Sequence, residues 1–150
     1  MLTINDISLK DAKPTDRPHL LLWDNPNDSE IKQLIFNNNA QLVSYRDNLL
    51  SRINLKHKFL SLQEKLGEEL DAIRQTCENA DKPIILLQDI DILVSYLYSK
   101  PKSPISLFWQ KLANMRHLER ILWIILPTKL MPQNWNHRSL IHIKSESQNI

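Results

Sequence analysis

The stretch that most constrains the fold is Lys82-Pro83-Ile84-Ile85-Leu86-Leu87-Gln88-Asp89-Ile90-Asp91-Ile92-Leu93. Its apolar run is short, bounded by Pro83 and by charge, and lacks the polar alternation of a half-exposed strand. It reads as a strand buried on both faces, the kind that a helix-covered parallel sheet requires. A carboxylate delivered at the end of such a strand is how nucleotide-binding α/β folds hold a magnesium-binding acid. The rest of the chain then has to supply a phosphate-cradling turn.

Glycine usage argues against one. Gly67 is the sole glycine of the 150 residues, and it falls inside a helix-like stretch. Phosphate loops built from backbone N–H groups need glycine for positive φ and for close approach of the chain to the phosphate. An intact Walker A motif, a dinucleotide fingerprint and a kinase glycine loop are therefore excluded, as is a nucleophile elbow.

Other counts narrow the function further. Nineteen basic and seventeen acidic residues leave a net charge of +2, too small to argue for nucleic acid without local clustering. Cys77 is the one cysteine, so an internal disulfide and a cysteine-based zinc cage are ruled out. The five histidines (His19, His57, His117, His137 and His142) show no paired metal spacing, and no metal or cofactor is expected. Apolar runs such as Leu20 to Trp23 and Ile121 to Leu126 are strand-sized, not membrane spans. With no signal-like N-terminus, the expected location is cytoplasmic.

Read in order, residues 1–17 are a polar leader packed on the surface. His19 to Trp23 is a first buried strand. Asp24 to Ser29 is a turn, with Asp28 or Ser29 capping a helix over Glu30 to Phe36. Ala40 to Tyr45 is an alternating strand near an edge, followed by helical patterns over Asp47 to Ile53 and Lys58 to Glu78. After the Ile84 to Asp89 strand come a helix over Ile92 to Tyr98 and another from Pro104 to Met115, capped by Ser103. Glu119 to Leu126 is a fourth strand, residues 127–138 a loop, and Ser139 to Lys144 a fifth strand. Residues 145–150 read as a flexible polar tail. Strands separated by helices predict an α/β domain over residues 18–144: a five-stranded, mainly parallel sheet with helices on both faces.

This pattern resembles a P-loop NTPase of the AAA-like branch. His19 to Trp23 stands where the strand before the phosphate loop would be. Ile84 to Asp89, followed by Asp91, resembles a Walker B strand, and Ile121 to Leu126, followed by Thr128, the strand with the sensor residue. A narrower similarity, over most of the chain from residue 18 on, is to the small P-loop proteins of bacterial BREX phage-exclusion systems. It is carried by LVSYRDNLLSRI (42–53), IILLQDIDIL (84–93) and LFWQKLANMRHLERILWIILP (107–127). The chain departs from that pattern at the phosphate loop, where it has Trp23-Asp24-Asn25-Pro26-Asn27-Asp28-Ser29-Glu30. The lysine position reads Glu30, and Asp24 and Asp28 add two more carboxylates that repel a triphosphate.

The resemblance thus implies a degenerate nucleotide site at Asp24, Asn25, Asp28, Ser29, Glu30, Asp89, Asp91 and Thr128, with catalysis lost. The function expected is a non-catalytic pseudo-NTPase subunit that binds protein partners in a DNA-transaction or phage-defence assembly. One alternative is a nucleic-acid adaptor, because Lys129, Trp135, His137 and Arg138 mix aromatic and basic groups able to stack bases and contact phosphates. The same loop suits a protein interface, or Trp135 pins the loop to the core. Arg116 and Arg120, before the fourth strand, lie where the fold family often carries an arginine finger; a solvated turn with local ion pairs is the plainer reading, and Arg116 stays a candidate partner contact. A second alternative is a metal-dependent enzyme in which Asp89 and Asp91, two apart on an extended segment, share a face and an ion. The plainer reading has Asp89 as an inherited strand-end acid and Asp91 as a helix cap. Trp109 and Trp123 read as core, as does Cys77 on the apolar face of the long helix.

Overall fold

A computed structural model describes residues 2–12, 17–52, 65–101 and 104–145. Five strands form one sheet: β1 (Pro18–Trp23), β2 (Ala40–Ser44), β3 (Ile84–Gln88), β4 (Ile121–Leu126) and β5 (Leu140–Ile143). Their order is β2-β3-β4-β1-β5, and every pair is parallel. The helices are α1 (Asp28–Asn38), α2 (Tyr45–Arg52), α3 (Leu66–Glu78), α4 (Asp91–Tyr98) and α5 (Ile105–Ala113).

The central strands read as continuous apolar runs because both of their faces are covered. Leu20, Leu22, Ile85, Leu87, Leu122, Ile124 and Leu126 point to one face, where α2 to α5 and Trp135 pack on them. Leu21, Trp23, Ile84, Leu86, Trp123 and Ile125 point to the other, covered by α1 and by the segment containing Ile4, Leu9 and Ala12. Right-handed crossovers explain the division. The chain runs from β1 to the β2 edge through α1, then reverses direction across the sheet through β3 and β4, so its later connections lie on the opposite face.

Several local expectations are corrected. Asn27, not Asp28 or Ser29, caps α1: its side-chain oxygen accepts the Glu30 N–H at 2.8 Å, and its amide donates back to the Glu30 carboxylate. The helix ends where Asn39 takes a left-handed conformation (φ 53°) and its N–H reaches Ile35 and Phe36 carbonyls. Tyr45 begins α2 instead of ending β2, because its ring is buried in the core and its hydroxyl bonds Glu69. Pro104 occupies the cap position of α5, ahead of its first turn. Ser103, Ile53 and the first part of the expected long helix, residues 58–64, lie outside the described residues.

The N-terminal segment is more integrated than a leader. Two 3-10 turns (Ile4–Asp6 and Leu9–Asp11) bury Ile4 and Leu9. The Trp123 indole donates to the Leu9 carbonyl, and the Leu9 N–H donates to Asn38 Oδ1. Leu2 bridges Ile143 in parallel, and Lys144 N–H donates to the Leu2 carbonyl at 2.9 Å, so the strap covers the outer side of β5. Ser145, expected in the flexible tail, is fully buried between the Trp23 indole, which donates to it at 2.9 Å, and the Asn25 carbonyl.

Candidate functional site

In an open α/β sheet, ligands enter at the C-terminal edge, between neighbouring strands whose following connections leave on opposite faces. Here those strands are β1 and β4. Asp24 follows β1 and Thr128 follows β4, and the two close the crevice. The Asp24 carboxylate accepts the Thr128 N–H at 2.8 Å and the Thr128 hydroxyl at 3.0 Å. Thr128 Oγ1 also lies 3.2 Å from His142 Nε2 on β5. Since the hydroxyl proton goes to Asp24, the imidazole Nε2 is the donor in that contact. The backbone N–H of Thr128 is thus already used by a carboxylate.

The turn after β1 runs from Asp24 to the α1 cap at Asn27. Asn25 stands at φ 54°, and Asn is one of the few side chains that tolerate this region. Its carbonyl turns toward Ser145. Asp28 and Ser29 are exposed at the start of α1, and the buried Glu30 is tied to Asn27. An acidic first turn complements the helix dipole, but it puts negative charge where a bound phosphate would also be negative.

Asp89 and Asp91 do not lie on one extended segment. Asp89 takes φ 69°, which ends the extended segment, and Asp91 is already in the first turn of α4. The Asp89 carboxylate accepts the Ser44 hydroxyl, whose oxygen in turn accepts the Asp47 N–H at 3.2 Å. Nor does Asp91 cap the helix: Ile90 holds the cap position, without a side-chain bond. Among the described residues no group of three or more His, Cys, Asp and Glu side chains is placed to hold a metal ion.

The remaining candidates divide. Arg116 donates to the carbonyls of Ala113 and Met115, closing the end of α5, while its own carbonyl accepts from Arg74. Arg120 donates to the Ala80 carbonyl at 2.9 Å and to that of Glu119. Both guanidiniums lie by the N-terminal ends of β3 and β4, the edge opposite Asp24, and are committed to backbone. Trp135 is buried, with its indole edge-on to Trp109 at 6.0 Å and its Nε1 donating to the Ser139 carbonyl at 3.1 Å. It pins the loop, and its ring is not available for stacking on a base. Lys129, His137 and Arg138 remain exposed around it.

A second polar cluster went unnoticed in the sequence. Glu69 on α3, 2% exposed, receives a bidentate pair from Arg52 at 2.8 and 2.9 Å and the hydroxyl of Tyr45. Burial pushes the Glu69 carboxyl up, but the Arg52 and Tyr45 hydrogen bonds outweigh it and hold the group below the usual carboxylate range. Burial, with Glu69 beside it, pushes the Tyr45 phenol up. The cluster ties α2 to α3.

No protein-family model matches the chain, and neither a curated protein nor a solved structure matches it. Among the described residues, no helix is long and apolar enough to cross a membrane.

Proposed function

We propose that this chain is a non-catalytic pseudo-NTPase domain of AAA-like architecture, serving as a protein-interaction subunit. The observation that carries the reading is the Asp24–Thr128–His142 bridge, which fills the crevice where a nucleotide would lie. The strand order also supports it. β4, matched to the sensor strand, lies between β1, matched to the phosphate-loop strand, and β3, matched to Walker B. The acids of the ancestral site have taken structural work: Asp24 locks Thr128, Glu30 completes the α1 cap and Asp89 anchors Ser44. The setting, a DNA-transaction or phage-defence assembly, rests on the resemblance over residues 42–53, 84–93 and 107–127.

Titration with a fluorescent ATP analogue in the presence of magnesium tests the reading. The expected result is no saturable binding up to high micromolar concentration. Micromolar affinity would sink it.

A further inference from the structure

The two edges of the sheet are treated differently. The strap at Leu2 covers β5 on one side. On the other side β2 pairs with β3 alone, and among the described residues nothing hydrogen-bonds its outer edge. Natural proteins blunt such edges with charge, proline or bulges. The β2 sequence, Ala40-Gln41-Leu42-Val43-Ser44, has none of these in the strand.

Beside this edge lies apolar surface on the α1 face. Phe36 is 86% exposed, and Leu42, which shares the face of the buried Ala40, is 36% exposed. Ile35, Phe36 and Ala40 line a depression whose charged walls are Lys32 and Lys82. Charge is segregated along the strand. Lys32 and Lys82 sit at its N-terminal end, outnumbering Asp81, whose N–H bonds Gln41. Asp47 and Asp89 sit at its C-terminal end, outnumbering Arg46.

We propose that β2 pairs antiparallel with the β2 of a second copy of this chain, about a two-fold axis near Leu42, making one continuous sheet. An antiparallel pairing about such an axis is self-complementary. It sets the Lys32 and Lys82 end of each copy against the Asp47 and Asp89 end of the other. Because the axis runs through the sheet, both Phe36 rings fall on the same face, each beside the other copy's strand. A parallel pairing would set like charges together. The proposal concerns a surface away from the β1/β4 crevice and holds whether or not a nucleotide binds there.

The test is sedimentation over a wide concentration range at low and high salt. Wild type should show a monomer–dimer equilibrium that weakens with salt. Leu42→Lys should abolish it. Lys32→Glu with Lys82→Glu, and separately Asp47→Lys, should each weaken self-association about tenfold, the sum expected of a few exposed charge contacts. Mixing these two variants should restore association, because both contact regions then become complementary. Melting curves establish that each variant folds. In wild type, amide-exchange protection of residues 40–44 should rise with concentration, a readout that needs no variant. A wild type that stays monomeric at millimolar concentration, or a dimer indifferent to all three changes, overturns the proposal.

Discussion

The carboxylate of Asp24 takes both the N–H and the hydroxyl of Thr128, a residue 104 positions further along the chain. This one contact joins the ends of β1 and β4. It acts as a latch across the C-terminal edge of the sheet.

The latch predicts a measurable coupling. Asp24→Ala and Thr128→Val should each cost about 1 kcal/mol, because the pair is exposed and each change removes net hydrogen bonds of that size. The double variant should cost less than the sum of the two, as contacting partners do. Urea denaturation of the four species checks it; strict additivity would show that the hydroxyl–carboxylate contact carries no energy.

Glu69 predicts a pH dependence. Its folded-state pKa is depressed, so its stabilisation is present above the unfolded value of about 4.3 and is lost as pH falls through the lower folded value. Glu69→Gln should cost about 2–3 kcal/mol at pH 7, a figure reduced for the partly exposed Arg52 partner. The gap between wild type and variant should stay flat above about pH 5 and narrow below about pH 4. Denaturant midpoints across that range provide the measurement.

Trp135 and Arg138, three positions apart, should behave oppositely. Trp135→Ala removes a buried ring and should cost about 3 kcal/mol. Arg138→Ala changes an exposed side chain and should stay within about 0.5 kcal/mol. Thermal melting separates them, and equal effects would contradict the placement of the indole.

Cys77 should be nearly inert in the folded state. It is fully buried, and burial pushes its thiol up to about 11. Reaction with a thiol-specific disulfide reagent at pH 8 should be slow, and should speed up with denaturant in step with unfolding. A fast burst in native buffer would refute this.

What could be read along the chain follows from the range of each interaction. Ile84 to Leu87, Leu20 to Trp23 and Ile121 to Leu126 were legible as strands because each signal is local: a short apolar run between breakers. The α1 cap was misplaced by one or two residues because Asn27, Asp28 and Ser29 are all capping types, and periodicity does not rank them. Tyr45 looked like strand because its ring favours strands, but a buried partner on α3 drew it into a helix. The strap was missed because Ile4 and Leu9 are isolated among polar residues.

The candidate site shows the same limit more sharply. Asp24, Thr128 and Asp89 were legible as residues of interest. Their pairings were not: Ser44 lies 45 positions from Asp89, and Thr128 lies 104 from Asp24. No spacing rule reaches that far. The one local signal, Asp24 directly after an apolar strand and Thr128 one proline beyond another, marks the edge but not the bond.

The strap has a consequence in time. Leu9 is made before its indole donor, Trp123, which lies 114 residues later, and its other neighbour, Asn38, sits on a helix that also needs the sheet beneath it. At a translation rate of about 5–20 residues per second, the strap waits on the order of 10 s for its seat. Until then the α1 side of β1 has no complete cover. The strap therefore settles only after β4 has been made, although it precedes β1 in the chain, and the nascent chain carries an open apolar surface over that interval.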